Sequence, residues 1–220
     1  VGLYLDANAT EPLRPAARAA VLAALETGGN PSSVHAAGRA ARRLLEAARA
    51  TLANRFGARP QDVVFTSGGT EANALAIQGL GRGSGLGHAR RVLVGATEHP
   101  AVLAAAPAAV VVPVLADGTV DLAALAALLA EGGPALVCLM AANNETGVLH
   151  PIAAAAALCR AHGALLHVDA VQAAGRLALP DGADSLAISG HKLGGPPGAG
   201  ALLLRPGLDL APAIAGARSR

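Results

Sequence analysis

The chain has 220 residues, 53% of them apolar, and a formal charge of +2 carried on scattered side chains, which supplies a sizeable core and excludes a disordered chain. An aromatic content of 1% leaves almost no rings to stack on bases, and the longest apolar runs are too short to cross a bilayer. No signal peptide opens the chain, so the expected location is cytoplasmic, with neither nucleic acid nor membrane as a partner.

The first sixty residues read as an extended "LYLDANAT", a helix near 15–26, a turn "TGGNPSS" and a long helix over 34–56, together an arm packed beside the sheet-forming part of the chain. Arg39, Arg42, Arg43 and Arg49 recur along the long helix at the spacing of a solvated face. From Gln61 onward, short strand-like runs alternate with Ala/Leu-rich helical stretches. "DVVFT" leads into "TEANALAIQGL", "RRVLVGA" into "HPAVLAAA", "AVVVPV" into "TVDLAALAALLA", and "ALVCLMA" into "PIAAAAALCRAHG". The runs "ALLHVDA", "SLAIS" and "GAGALLL" complete the series.

Strands that are continuously apolar are buried on both faces. The pattern predicts an α/β fold with a mainly parallel seven-stranded sheet and helices on both faces. The expected organisation is an N-terminal arm with helices over 1–60, a sheet domain over 61–210, and the start of a further segment over 211–220. The Gly-rich "GLGRGSGLG", residues 79–87, fits G-x-G-x-x-G in no register and follows a helix, so it is expected to be a surface loop. Cys138 falls on a buried strand and Cys159 on a packed helix, the places of small core residues rather than of a disulfide framework.

Ligands in open α/β sheets bind beyond the carboxyl ends of the strands, and here polar residues interrupt the apolar rhythm at those ends. "TSGGTEAN" reads as strand, glycine turn and helix start, where Gly69, Thr70 and the first N–H groups form an anion cradle. It has no Walker lysine, which favours a phosphate monoester over a nucleoside triphosphate. "ATEHPA" places His99 between strand and helix, as a cap or a catalyst. "ANNETG" sets Asn143 and Asn144 in a turn that Asx hydrogen bonds alone would also explain. Asp169 ends a buried strand, with Gln172 after it, and needs a partner: a ligand cation or an arginine.

"AISGHK" brings Ser189, His191 and Lys192, the only lysine of the chain. A guanidinium stays protonated, whereas an amine can lose its proton and attack a carbonyl, so Lys192 has chemistry that the arginines lack. Pyridoxal 5'-phosphate (PLP) requires an anion cradle, a carboxylate for its ring nitrogen, an amide for its ring oxygen, a flat cover and an amine for its aldehyde. Each has a candidate along one sheet edge.

The stretches "YLDANAT", "GNPSSVH", "FTSGGTEANALAI", "TEHPAV", "NNETG", "HVDAVQAAG" and "SGHKLGGPPGAGAL" resemble the cysteine desulfurases, class V of the aspartate-aminotransferase-like PLP enzymes, in the family's order and nearly end to end. The resemblance implies the large domain of PLP fold type I, with Lys192 attached to the cofactor and His99 stacked on its ring and placed for proton transfer. It implies that Asp169 pairs with the ring nitrogen and Gln172 with the ring oxygen. Gly69, Thr70, Ser189 and His191 would hold the phosphate, and Asn144 would orient the substrate. His35 lies in a family motif without an assigned role.

The family is roughly twice this long. The resemblance therefore implies a truncated desulfurase that lacks the small C-terminal domain and the loop carrying the nucleophilic cysteine, so that this chain alone is expected to be inactive. The complete enzyme is expected to convert L-cysteine to alanine, passing sulfur to an acceptor protein for iron–sulfur cluster or thiolation pathways, as a homodimer. The alternatives are another class V enzyme, such as an aminotransferase, selenocysteine lyase or epimerase, or a non-catalytic remnant acting as a dimerisation module.

Overall fold

The computed structural model describes residues 2–81, 89–179 and 181–213. Seven apolar runs form one sheet: β1 (Val63–Thr66), β2 (Arg91–Gly95), β3 (Val110–Val112), β4 (Ala135–Met140), β5 (Leu165–Asp169), β6 (Ser185–Ser189) and β7 (Gly200–Leu204). The strand order is β1-β7-β6-β5-β4-β2-β3. Only β7 runs antiparallel to its neighbours, β1 and β6. A parallel return needs a long crossover, usually a helix. The link from β6 to β7 is a short Gly/Pro loop, which reverses the chain instead.

Successive strand residues feed two separate cores, as the two-residue period requires. Leu136, Cys138, Ala187 and Leu202 pack with Ala72, Ala76 and Ile77 of α3 (Gly69–Gly81) and Val102 of α4 (Pro100–Ala105). Val137, Leu139, Ile188 and Leu203 face the other side, with Leu125 of α5 (Leu122–Ala130), Ile152 of α6 (Ile152–Ala161) and Ala53 of α2 (Ala36–Phe56). Both faces of the sheet are therefore covered by helices.

His35 caps α2, its Nδ1 accepting the Gly38 N–H at 3.3 Å, a local role that accounts for its position. Within the arm, α1 (Pro15–Leu25) has no buried residue and leaves Leu22 and Leu25 exposed, whereas residues 6–14 run across the loop that carries Lys192. The expected surface loop at 79–87 is revised in part. Gly79, Leu80 and Gly81 are the buried last turn of α3, while residues 82–87 lie outside the described set. A Cβ on Gly79 would sit 2.5 Å from Leu210 Cδ1, so glycine here permits close packing rather than a turn.

At the carboxyl edge Thr66 is in register with Gly200, Gly200 with Ser189, and Asp169 with Ala187 on one side and Met140 on the other. The sheet thus brings four carboxyl ends and the start of β7 into one row.

Candidate active site

A cavity of about 200 Å³ opens above that row, and all nine residues singled out in the sequence line it: Gly69, Thr70, His99, Asn144, Asp169, Gln172, Ser189, His191 and Lys192. Its first end is the start of α3, where helix geometry leaves N–H groups without intrahelical partners. A Cβ on Gly69 would lie 2.6 Å from Val171 Cγ2, and one on Gly200 would lie 2.6 Å from Gly68 Cα, so side chains are excluded from this cradle. Ser189 Oγ is buried there without a hydrogen-bond partner among the described residues. His191 Nδ1 is 2.9 Å from Thr10 Oγ1 on the arm; burial first and Lys192 second lower its pKa.

Asp169 closes the floor. Its Oδ1 accepts the Val171 N–H at 2.9 Å and its Oδ2 accepts from Asn73 Nδ2 at 2.7 Å. Asn73 Oδ1 lies 2.9 Å from His167 Nε2, and His167 Nδ1 lies 2.8 Å from Ser185 Oγ. Burial lowers the His167 pKa to about 4, so this wholly enclosed imidazole is neutral near pH 7 and donates from Nε2 while accepting at Nδ1. Among the described residues no ion pair reaches Asp169. Burial pushes its pKa upward, against the Val171 and Asn73 hydrogen bonds and the weaker pull of His99 and Lys192.

Glu98 lies behind His99 and is only 5% exposed. Its Oε1 accepts the Met140 N–H at 2.6 Å, and its Oε2 has no partner among the described residues. Burial raises its pKa well above 4.5, the Met140 hydrogen bond opposes this, and Asp169 adds to it. The folded chain therefore holds this proton more tightly than the unfolded chain does. The resulting stability is fully present below about pH 4.5 and is lost as pH rises through the folded-state pKa. Glu98→Gln keeps an oxygen for Met140, so urea unfolding at a series of pH values is expected to lose this fall in stability with rising pH. A variant with the parent's slope would contradict the assignment.

Lys192 sits in the short 3-10 turn Gly190–Lys192 after β6, and its Nζ donates to the Asn8 carbonyl. Burial lowers its pKa, and Arg176 lowers it further against the attraction of Asp6 and Asp169. Gln172 Nε2 donates to the same Asn8 carbonyl at 2.9 Å, and Asn8 Nδ2 donates to the Asn144 carbonyl at 3.2 Å. His99 is exposed on the opposite wall and caps α4, its Nδ1 accepting the Ala101 N–H at 3.1 Å. In the neighbouring turn Asn143 makes the Asx bonds, its Oδ1 accepting from the N–H groups of Glu145 and Thr146 at 2.9 Å each. Asn144, not Asn143, lines the cavity.

Sequence reasoning missed Asn8, Asn73 and Glu98. Asn73 on an apolar helix face and His167 within "ALLHV" are both polar interruptions of buried elements. Each had to find a partner inside the core, and each found the other.

A two-sided α/β sheet with a glycine-lined helix start, a buried carboxylate and the chain's only lysine along one edge is an open-sheet ligand site of the kind that a phosphate-bearing cofactor with a reactive carbonyl would fit. The family model for aminotransferase class-V matches residues 3–217, and the chain belongs to that family. It is 44% identical over 227 residues to the "IscS-like cysteine desulfurase" of Mycobacterium tuberculosis, covering 97% of this chain and 58% of the relative. It is 43% identical over 232 residues to a "Cysteine desulfurase" of Cereibacter sphaeroides, covering 99% and 59%.

Among solved structures, a NifS-like protein from Rickettsia africae superposes with a TM-score of 0.89 at 34% identity, covering 98% of this chain and 61% of that one. A structure described as "SspA in complex with cysteine" gives a TM-score of 0.85 at 28% identity, covering 98% and 65%. The chain thus spans 58% and 59% of the two curated relatives. No helix among the described residues is long and apolar enough to cross a membrane.

The family's cofactor is PLP, and the residues present fit it. Ser189 Oγ is a buried hydroxyl with no hydrogen-bond partner among the described residues, beside a helix start where Gly69 and Gly200 leave no room for a Cβ, a combination that suits a phosphate group. Asp169 is a buried carboxylate that no cation pairs with among the described residues, and a protonated ring nitrogen would supply that partner.

Proposed function

We propose that residues 61–210 form the PLP-binding domain of a cysteine desulfurase, which releases alanine from L-cysteine and passes the sulfur to a thiol. The observation that carries this reading is the chain's only lysine sharing a cavity with an unpaired buried carboxylate and a glycine-lined helix start. The names of the relatives choose the chemistry within the family. Bound PLP supplies an electron sink for charge developing at the substrate α-carbon.

The chain's own residues do the rest. Lys192 Nζ would hold the aldehyde carbon and, as a free amine, would move the proton at the substrate α-carbon. Asp169 would keep the ring nitrogen protonated, and the Gln172 N–H would donate to the ring oxygen. His99 would cover the ring face and serve in proton transfer. The N–H groups of Gly69 and Thr70, the hydroxyls of Thr70 and Ser189, and His191 hold the phosphate. Asn144 orients the substrate carboxylate.

Neither cysteine of this chain suits sulfur transfer. Cys138 and Cys159 are wholly buried, and burial pushes both thiols upward, Cys159 to about 12. The accepting thiolate belongs to another segment, from which an acceptor protein then serves iron–sulfur cluster or thiolation pathways. A cytoplasmic homodimer completes the reading.

The test has two arms. The 220-residue chain given PLP should develop a visible absorption band, and borohydride should fix the cofactor to the peptide containing Lys192. The full-length protein given cysteine should yield alanine and, with a thiol reductant, sulfide. Keto acid without sulfide would move it to another class V reaction. Failure of both preparations to take up PLP would leave a non-catalytic module and overturn the proposal.

A further inference from the structure

Arg176 follows β5 and lies just outside the cavity lining. Its Nη1 donates to Gln172 Oε1 at 2.7 Å and to Asn8 Oδ1 at 3.4 Å. Its Nη2 donates to the carbonyls of Ala7 at 3.1 Å and Lys192 at 3.3 Å, and to Glu11 Oε2 at 3.4 Å. One guanidinium therefore joins the arm, the turn after β5 and the lysine loop. We propose that Arg176 is a positioning residue of the cofactor site, fixing the Gln172 amide with its N–H groups toward the cavity and holding the Lys192 backbone and the arm around it. The inference rests on PLP being the cofactor of this site.

The orientation follows from donor and acceptor chemistry. A guanidinium has no acceptor, so Gln172 must turn its oxygen toward Arg176, and Nε2 is left to face inward. That is the group a ring oxygen needs, and at present it donates to the Asn8 carbonyl. Among the described residues no other side chain hydrogen-bonds to Gln172. Without Arg176 the amide can present its oxygen to the ring oxygen, a repulsive arrangement. A lysine would bring the charge but not the planar fork that spans these acceptors.

The charge acts on Lys192 as well. Arg176 opposes protonation of the amine, as burial does, while Asp6 and Asp169 favour it. His191 is the adjacent titratable group, and Glu11 is paired with Arg176. The positive charge of Arg176 thus raises the fraction of free amine at a given pH.

Because Lys192 is the only lysine, amine labelling followed by peptide mapping reads it directly in the chain without cofactor. Below the labelling midpoint, Arg176→Gln is expected to slow Lys192 labelling about threefold and move the midpoint to higher pH. It is also expected to weaken PLP binding about tenfold, measured by equilibrium dialysis. Arg176→Lys should restore the labelling rate but not the affinity, separating charge from fork geometry.

A folded Arg176→Gln chain, with an unchanged circular-dichroism melt, that labels and binds PLP within twofold of the parent would overturn the inference. A parent that takes up no PLP, but whose Lys192 still slows in Arg176→Gln, would sink the cofactor reading and support the action of Arg176 on the amine.

Discussion

Lys192→Ala is expected to abolish borohydride-fixed cofactor at every internal peptide while leaving the fold intact. The only other amine in the chain is the N-terminus, so the variant has no side chain able to form a covalent link to an aldehyde. Lys192 is partly exposed, and its side chain makes one hydrogen bond, to the Asn8 carbonyl, so its loss should cost at most about 1 kcal/mol of stability. Equilibrium dialysis should still detect weak, reversible PLP held by the phosphate cradle and Asp169. The measurements are the visible band, mass of the reduced protein, and thermal melting of parent and variant. Label retained at an internal peptide, or a melt lowered by tens of degrees, would show that Lys192 is a structural residue.

The sheet was legible because every strand is a run of three to six mostly apolar residues bounded by glycine, proline or polar breaks. The antiparallel course of β7 is written less in the strand than in its connection, since an apolar run such as "GALLL" carries no signal of strand direction. The Gly-rich segment misled at Gly79 and Gly81 because glycine was taken as a breaker. At Gly79 its value is the absence of a Cβ where residues 210 and 211 approach the helix, while Gly81 packs against Val92 and Leu136.

The site was legible where a polar residue ends a strand: Asp169, Ser189 and, after it, Lys192. It was not legible where a contact joins distant segments. Asn8 meets Lys192 across 184 positions and Gln172 across 164, and no local pattern encodes either pairing. Arg176 was hidden for a different reason: an exposed arginine four residues after a glutamine is an ordinary surface pattern until the arm is laid against it.

Replacing Asp169 with asparagine should separate catalysis from folding most sharply. In the full-length protein, Asp169→Asn is expected to slow exchange of the substrate α-proton by about 10³-fold or more, some 4 kcal/mol of lost charge stabilisation at the ring nitrogen. The empty 220-residue fold should be no less stable. Burial raises the Asp169 pKa above 3.8, so in the empty site its contribution is favourable below that pH and is lost as pH rises through the folded-state value. Asparagine removes that penalty near pH 7.

The hydrogen bonds need not suffer. The Val171 N–H still finds an oxygen. Asn73 can turn its amide, because neutral His167 can exchange tautomers and Ser185 can rotate its hydroxyl, reversing the direction of the whole chain of bonds. Deuterium exchange at the α-carbon measures the first effect, and urea unfolding at pH 4 and pH 7 without cofactor measures the second. Exchange within tenfold of the parent, or a loss of more than about 2 kcal/mol in the empty fold, would make Asp169 a structural carboxylate rather than the partner of the ring nitrogen.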